Sequence, residues 1–409
     1  MASVLGFVHR VRRMNNPPAA VKNADPLQFG ILGAANVGPR ALLIPASTHP
    51  DVVVQVVAAR DQAKARQYAQ THGIPGVKAS YQDILDDPEI DCVYIPLPNG
   101  LHYEWTLRAI KAGKHVLLEK PSASNSTEAE ALFSQPNPPI LLEAMHSMFH
   151  PAWAAFLSYL SPGEVVYARS CVWTPWGVLG SDDIRYNYDL GGGALADMGP
   201  YTMGAIRMIF GTMPISCEEC VVKVHADKID ENFKASFRFP DGGLGVVEGD
   251  LQSSWTKLSP DAEATMRPIV IDASEAGVKI HEGQEVVRTR NVFFKNFALA
   301  TAYHRIQVND EYVIRKVGDA DDGSVVKNWK TSKTVKAYTF KEAGIEQPGE
   351  AYHTTYRYML DQFVNKVRGK ERPQGMWIDA QFSIDVAKMI DMAYSAAGMS
   401  LRPTSKYTP

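Results

Sequence analysis

The first third of the chain alternates short apolar runs with stretches of helical periodicity. Strands are predicted at 28–32, 52–59, 91–97, 115–119 and 140–144, and helices at 61–72, 101–112 and 127–133. The run at 52–59 (VVVQVVAA) is apolar and β-branched, as expected of a parallel strand that is covered on both faces. This alternation predicts an α/β fold with a doubly wound parallel sheet, which binds ligands at the carboxyl ends of its strands.

After residue 150 the pattern changes to β-rich runs separated by turn signals such as Asp241-Gly242-Gly243. These strands are predicted at 165–172, 216–225, 233–239, 245–251, 269–271, 277–281 and 334–340. With little helix between most of them, they predict a second domain on a large, mostly antiparallel sheet. Two helical patterns at 352–368 and 378–397 are expected to pack back on the body. The predicted divisions are an N-terminal arm (1–25), a parallel-sheet domain (26–150), an antiparallel-sheet domain (151–345) and C-terminal helices (346–409).

Composition narrows the classes of function. The 409 residues include 42 Lys and Arg against 45 Asp and Glu, which gives a formal net charge of −3. A protein that binds nucleic acid through its phosphates shows a clear cationic excess instead. No apolar run is long enough to span a bilayer. We therefore expect a small-molecule ligand, and neither a nucleic acid nor a membrane as partner.

Four cysteines are sparse for this length, which is typical of a reducing compartment and predicts a cytoplasmic protein. Cys217 and Cys220 form a Cys-x-x-Cys pair that would suit a redox pair or half of a zinc site. No second close pair completes a tetrahedral site, so we expect no metal.

The first 24 residues contain Arg10, Arg12, Arg13 and Lys22 with no acidic residue. This composition allows two readings, a transit peptide or a helical arm packed on the body. The Pro17-Pro18 pair and the scarcity of Ser favour the arm.

The turn after the first strand is a variant of the dinucleotide fingerprint, in which alanine replaces the middle glycine. The candidate phosphate-binding residues are Gly33, Ala35, Asn36, Val37 and Gly38. The extra methyl of Ala35 should shift a pyrophosphate slightly, because the N–H groups at the helix N-terminus still point at it. Alone the motif is weak, and a tight turn without a ligand remains the alternative.

Arg60 and Asp61 end the second strand, where a dinucleotide's adenosine ribose would lie. An acid there favours the 2′-hydroxyl of NAD, whereas an arginine pairs with the 2′-phosphate of NADP. Arg60 therefore favours NADP, with NAD as the alternative cofactor. Asp61 would either serve as the acid or cap the next helix.

Two further segments follow predicted strands. Residues 96–102 (PLPNGLH) are placed to border a nicotinamide, which makes Pro96, Leu97, Pro98, Asn99 and His102 candidate cofactor contacts. Glu119-Lys120-Pro121 places a lysine at the mouth of the sheet, where it can stabilise developing alkoxide charge. Glu119 and Lys120 are also candidate cofactor contacts. The structural alternatives are a plain Pro-Asn-Gly turn and a solvated lysine.

A glycine-rich segment (GGGALADMGPY, 191–201) reads as the entry to a helix. Asp197 and Tyr201 are four residues apart, so a helix would present both to one bound molecule. A cation such as Lys120 within reach is expected to lower the pKa of Tyr201 from about 10. Without context, such a pair is usually only a surface pair.

In combination, these segments resemble the glucose-fructose oxidoreductase, inositol dehydrogenase and dihydrodiol dehydrogenase family (Gfo/Idh/MocA) over about residues 27–400. The resemblance implies an N-terminal Rossmann domain, a C-terminal α/β domain and a homodimer formed through its open sheet. It also implies that Lys120 is the catalytic lysine, that Tyr201 is the catalytic tyrosine, and that Asp197 contacts substrate or relays protons. Among its members, NADP-dependent D-xylose 1-dehydrogenases and dihydrodiol dehydrogenases are the most similar, in segments such as DIRY (183–186) and FHP (149–151). Departures from the family pattern are Ala35 and the loop 134–139.

We therefore expect an NADP-dependent oxidoreductase that acts on a sugar or cyclic diol, with a D-xylose-like aldose favoured. Arg185, Tyr186, Trp176 and Trp173 are candidates to line the substrate site. A trans-dihydrodiol, a keto sugar or a specialised metabolite is the alternative substrate. An alternative of another class is a non-catalytic, NADP-sensing regulator.

Overall fold

The N-terminal domain is built on a parallel sheet. A computed structural model describes residues 4–226, 228–318, 323–370 and 377–408. The strands of this sheet are β1 (Leu27–Leu32), β2 (Val52–Ala58), β3 (Gly76–Val77), β4 (Cys92–Ile95), β5 (His115–Leu118) and β6 (Leu141–Glu143). Their order is β3-β2-β1-β4-β5-β6, and all pairs are parallel. The strand order reverses between β1 and β4, the place where doubly wound sheets bind ligands.

Helices cover this sheet and complete the second domain. Their bounds are α1 (Val4–Asn15), α2 (Ile44–Ser47), α3 (Gln62–His72), α4 (Tyr81–Leu85), α5 (His102–Lys111), α6 (Ser126–Phe133), α7 (Pro151–Leu157), α8 (Ala194–Phe210), α9 (Thr355–Val367) and α10 (Ala380–Ala396). A wide helical turn, Pro39–Leu43, precedes α2. Ser80 and Asp83 bond to each other's backbone N–H as a capping box at the start of α4.

The second sheet is mixed. Its strands are β7 (Val165–Pro175), β8 (Ser216–Ala226), β9 (Ile229–Arg238), β10 (Leu244–Ser253), β11 (Asp261–Met266), β12 (Ile269–Ile271), β13 (Gln284–Lys295), β14 (Arg305–Lys316) and β15 (Val325–Val335). Over the described ranges, the order is β15-β14-β13-β11-β7-β10-β9-β8, and β12 pairs with β13. Only β7 and β10 pair in parallel among these strands. The predicted α/β fold with a large, mostly antiparallel second sheet is confirmed.

Two predicted strands were wrong. Residues 277–281 form a loop, in which Val278 and Ile280 cover a small apolar cluster on β13 and β14. Their alternation therefore reflects packing over the sheet rather than pairing in it. Of 334–340, only the first two residues belong to a strand, because β15 ends at Val335.

The two domains share one apolar core, which continues from the parallel sheet to the second sheet. Trp153 of α7 lies at its centre, fully buried, with ring centroids 5.3 Å from Phe294 and 5.4 Å from Phe297. The arm helix α1 packs on this body, since buried Arg10 donates from Nε to the Thr301 carbonyl at 2.8 Å. None of the helices in the described ranges has the length and apolar character needed to cross a bilayer.

Candidate active site

The turn after β1 has the features of an anion-binding turn. Gly33 has φ +117°, which favours glycine because a side chain would be strained there. The amides of Ala35 and Gly38 donate to carbonyls of Gly33 and Ala35 at 3.0 and 3.1 Å. Within the described chain, the neighbouring amides of Asn36 and Val37 have no protein acceptor. Unpaired N–H groups at the start of a helix are suited to hold a pyrophosphate.

Arg60 lies exposed directly after β2, whereas Asp61 is committed to its own helix. The Asp61 carboxylate accepts from the amides of Ala63 and Lys64 at 2.8 and 3.2 Å. These backbone hydrogen bonds lower the pKa of Asp61. Asp61 is thus the N-cap of α3, whereas its second predicted role, contact with a ribose, stays a prediction.

Two candidate cofactor contacts are turned into the protein. His102 is fully buried, with its ring nitrogens 2.7 Å from the carbonyls of Leu97 and Pro121. Burial lowers the pKa of His102 to about 4. Glu119 is also buried and accepts from the Tyr94 hydroxyl at 2.7 Å. The His102 side chain therefore joins the loops after β4 and β5, and the Glu119 side chain joins the end of β5 to β4.

Lys120, Asp197 and Arg185 form a charged row between the domains. Lys120 follows β5, joined to Pro121 by a cis peptide bond. Its Nζ donates to Asp197 Oδ1 at 2.7 Å and to the Asp197 carbonyl at 2.8 Å. Arg185 Nε donates to Asp197 Oδ2 at 2.8 Å. Burial alone would raise the pKa of Asp197, but the charges of Lys120 and Arg185 hold it well below its usual range.

Tyr201 lies one helical turn after Asp197 on α8, and its ring centroid is 4.9 Å from Lys120 Nζ. The expectation that Lys120 lowers the pKa of Tyr201 was wrong for the protein alone. Burial raises that pKa well above 10, and the charges of Glu119 and Asp197 add to the effect. Lys120 is paired with Asp197 and does not offset the effect of burial on Tyr201.

The predicted substrate residues separate into two groups. Arg185 belongs to the charged row, and Tyr186 beside it stacks on His225 with ring centroids 4.3 Å apart. Trp176 lies in a turn after β7 with 61% of its surface exposed. Trp173 on β7 is half-buried beneath Lys257 Nζ, 4.4 Å from its ring centroid.

The start of α8 is braced by residues that sequence reasoning missed. Asp230 accepts from the Leu195 amide at 2.5 Å and from Arg402 Nη2 at 2.6 Å, and both side chains of this ion pair are fully buried. Arg402 Nε also donates to the Gly192 carbonyl at 2.5 Å. Nothing in the spacing marks this pair, because it joins strand β9 to the C-terminal tail.

A second contact joins the two halves of the site. Asn99 Nδ2 donates to the Gly191 carbonyl at 3.0 Å, and Gly100 lies against the backbone of Asp189 and Leu190. The loop predicted to border a nicotinamide thus touches the glycine-rich segment that starts α8. Asp197 and Tyr201 are thereby held at the edge of the parallel sheet.

His146 is a further residue that sequence reasoning missed. Its Nε2 lies 3.0 Å from the Tyr201 hydroxyl. The signal was its position just after β6, at the carboxyl edge where a doubly wound sheet binds ligands. The arrangement as a whole offers an anion-binding turn, a cation for a phosphate, and an ammonium beside a phenol. No group of three His, Cys, Asp or Glu in the described ranges could hold a metal ion.

Two family models match the chain. One describes an oxidoreductase family with an NAD-binding Rossmann fold and matches residues 27–135. The other describes the GFO/IDH/MocA C-terminal domain and matches residues 161–265. The first segment contains Lys120, and the second contains Asp197 and Tyr201, so the resemblance based on the motifs is confirmed.

Curated relatives are named dehydrogenases and reductases. A D-xylose 1-dehydrogenase (NADP(+)) from Haloferax volcanii is 40% identical over 237 residues, or 56% of this chain and 71% of the relative. A trans-1,2-dihydrobenzene-1,2-diol dehydrogenase from Xenopus tropicalis is 32% identical over 238 residues, or 56% and 70%. A dTDP-3,4-didehydro-2,6-dideoxy-alpha-D-glucose 3-reductase from Actinomadura kijaniata is 34% identical over 206 residues, or 48% and 59%.

Solved structures share the fold at lower identity. A levoglucosan dehydrogenase in complex with NADH and L-sorbose has a TM-score of 0.69 at 18% identity, covering 93% of this chain and 100% of that chain. A 3-ketoreductase from Actinomadura kijaniata in complex with NADP and TDP-benzene has a TM-score of 0.64 at 21% identity, covering 91% and 98%. At these identities the likeness establishes the architecture only.

Proposed function

The chain belongs to the Gfo/Idh/MocA oxidoreductase family, and from this premise we propose that it transfers hydride between NADP and a carbinol carbon of a sugar or cyclic diol. A D-xylose-like aldose oxidised at its anomeric carbon is the favoured substrate, supported by the relative from Haloferax volcanii. The observation that carries the proposal is the meeting of Lys120 and Tyr201, from separate domains, at the carboxyl edge of the parallel sheet.

The residues present fit NADP. The turn 33–38 would hold the pyrophosphate through its unpaired amides, and Arg60 would pair with the 2′-phosphate. Residues 96–99 and the backbone at Glu119 and Lys120 would border the nicotinamide. When bound, the cofactor supplies the hydride acceptor or donor, which no side chain can replace.

The chain's own residues handle the proton. Tyr201 would take the proton of the substrate hydroxyl during oxidation and return a proton during reduction. Lys120 would donate a hydrogen bond to the oxygen of that substrate hydroxyl. Asp197 would keep Lys120 and Arg185 in place, and Arg185 and Tyr186 would contact the substrate's other oxygens. General acid–base catalysis of this kind contributes about 10²- to 10⁴-fold.

A screen of the purified chain tests this function. We expect NADP⁺ to be reduced with aldoses or trans-dihydrodiols, followed by the absorbance of the reduced cofactor. Lys120→Ala and Tyr201→Phe should each lower kcat by about 10²-fold or more, whereas Lys330→Ala and Tyr303→Phe, both at exposed residues, serve as matched controls. Near-normal turnover in both site variants with cofactor still bound would refute the proposal.

Reduction of a keto sugar or a specialised metabolite is the second candidate. It is supported by the raised pKa of Tyr201, since a protonated phenol is ready to donate to a developing alkoxide. Assays with NADPH and keto sugars distinguish the two directions. Tight NADP binding without turnover in either direction would favour the sensing regulator, which the pairing of Lys120 with Asp197 and Tyr201 argues against.

We also propose a homodimer formed through the second sheet, in the cytoplasm. The dimer is supported by exposed apolar residues on its strands, including Val221 on β8, Val270 on β12 and Val325 on β15. The location is supported by the four cysteines, none of which is in a disulfide. Sedimentation velocity would test the dimer, and a monomer at micromolar concentration would contradict it.

A further inference from the structure

His146 is a buried titratable residue to which the proposed function gives no task. Its ring stacks on Tyr356 with centroids 3.8 Å apart and planes inclined by 21°. Nε2 lies 3.0 Å from the Tyr201 oxygen, and Nδ1 lies 2.7 Å from Thr355 Oγ1. Only 4% of His146 and 5% of Thr355 is exposed. The stack fixes the ring plane, and the two hydroxyls fix its rotation within that plane.

A neutral imidazole can satisfy these two partners in only two ways. In one tautomer Nδ1–H donates to Thr355 and Nε2 accepts from the Tyr201 hydroxyl. In the other, the Thr355 hydroxyl donates to Nδ1 and Nε2–H donates to the Tyr201 oxygen. The first holds Tyr201 as a phenol with its proton turned away from substrate. In the second tautomer the phenol proton of Tyr201 is free to move, and Nε2–H of His146 can donate to the Tyr201 phenolate.

We propose that His146 is a positioning residue whose Nε2–H donates to the Tyr201 oxygen during turnover, while its Nδ1 accepts from the Thr355 hydroxyl. The inference rests on the proposed role of Tyr201 as the proton acceptor. As Tyr201 takes the proton of the substrate hydroxyl, that O–H bond breaks and the phenol O–H bond forms. His146 keeps its own proton throughout and remains neutral.

The surroundings of Tyr201 make such a donor valuable. Lys120 and Glu119 face it from the end of β5, Asp197 from its own helix, Arg185 from the loop before α8, and Tyr356 from α9. Both carboxylates disfavour a phenolate. Burial and the charge of Lys120 lower the pKa of His146 to about 3, so its contribution is a hydrogen bond and not a charge.

The pH dependence of aldose oxidation tests the proposal in the full-length protein. Oxidation needs the Tyr201 phenolate, so kcat should rise with pH as Tyr201 loses its proton, which gives one rising limb in the pH profile. His146→Phe keeps an aromatic ring against Tyr356 but removes the donor, and we expect the limb to move up by about one pH unit, or about tenfold in kcat below it. His146→Gln, which restores an N–H donor, should recover part of the shift. His281→Gln, at an exposed histidine, is the matched control.

The tautomer is measured without cofactor or substrate. In protein labelled with ¹⁵N-histidine, long-range ¹H–¹⁵N spectra distinguish protonated Nε2 from protonated Nδ1, and the His146 signals are those lost in His146→Phe. We expect Nε2 to carry the proton. Thr355→Val should give a mixture of tautomers and move the pH limb in the same direction, whereas Thr355→Ser keeps the hydroxyl and should change neither.

The outcomes separate this inference from the proposed function. An unmoved limb in His146→Phe, or a protonated Nδ1 in the wild type, overturns the inference while leaving Tyr201→Phe inactive. An equal loss of kcat at every pH, without recovery in His146→Gln, also overturns it, since that is the result of a merely structural role. Full turnover in Tyr201→Phe overturns the proposed function, and the spectra then still report the hydrogen bond.

Discussion

The buried ion pair of Arg402 and Asp230 is expected to be the most costly one to break. Arg402 lies in the C-terminal tail, Asp230 lies on β9, and neither side chain is exposed. Arg402→Met keeps the volume of the side chain but leaves the Asp230 carboxylate buried without its cation. Removal of one partner from a buried pair costs about 3–5 kcal/mol. A hydrogen bond to the Gly192 carbonyl is lost as well, at about 1 kcal/mol.

The exposed pair of Arg238 and Glu218 supplies the control. Its atoms are 2.9 Å apart, but 35% and 41% of the side chains are exposed, and exposed pairs contribute about 0–1 kcal/mol. Equilibrium unfolding in urea should therefore show a large loss of the free energy of unfolding for Arg402→Met and a small one for Arg238→Met. The double variant Arg402→Met with Asp230→Asn should be more stable than Arg402→Met alone, because no unpaired charge remains buried.

The result also bears on the site, because this pair holds the start of α8. Asp230 accepts from the Leu195 amide, two residues before Asp197. We expect Arg402→Met to lower kcat several-fold with little change in NADP affinity, since the phosphate turn lies in the other domain. Equal losses of stability in Arg402→Met and Arg238→Met would refute the reasoning from burial.

Three further predictions concern single residues. Arg60→Ala should weaken NADP⁺ binding about tenfold or more and leave NAD⁺ binding unchanged, since a hydrogen bond to a charged group contributes about 1.5–3 kcal/mol; titration calorimetry with both cofactors checks this, and equal losses would contradict it. Asp197→Asn should destabilise the protein at neutral pH. Because the pKa of Asp197 is lowered in the folded state, its stabilising contribution is present above about pH 4 and is lost as the pH falls further. The difference in the free energy of unfolding between Asp197→Asn and wild type should therefore shrink in acid. Gly193→Ala should cost about 1–3 kcal/mol in the free energy of unfolding in urea, because φ is +124° and the new methyl would meet Asp230 and Arg402. A free energy of unfolding equal to that of the wild type would contradict this reasoning.

The sequence was sufficient to predict those elements whose local pattern of residues reflects their surroundings in the fold. The parallel sheet was predicted because its strands are buried on both faces, as in the fully buried run of β4. The cap at Asp61 was among the predicted roles because a capping residue acts on the backbone next to it. Most of strand β15 escaped prediction, and the predicted strand at 334–340 overlaps only its last two residues. Most of its side chains are exposed, and it is held by pairing with β14.

The same distinction applies to the site. Lys120, Asp197 and Tyr201 lie in motifs whose spacing places them at strand and helix ends. Arg402 and His146 act on partners that are distant in sequence, and no periodicity encodes such a pairing. The pKa of Tyr201 was misjudged for a related reason, since the pairing of Lys120 with Asp197 and the burial of Tyr201 both depend on the tertiary structure.

The hydrogen bond between Asn99 and Gly191 has a consequence for how the two ligands would affect each other's binding. It joins the loop proposed to border the nicotinamide to the segment that leads into Asp197, so the two ligands would share a wall. If bound cofactor changes the affinity for substrate by some factor, bound substrate must change the affinity for cofactor by the same factor. We expect NADP and a substrate analogue to change each other's dissociation constants by the same factor, and Asn99→Ala to bring that factor closer to one in titration calorimetry.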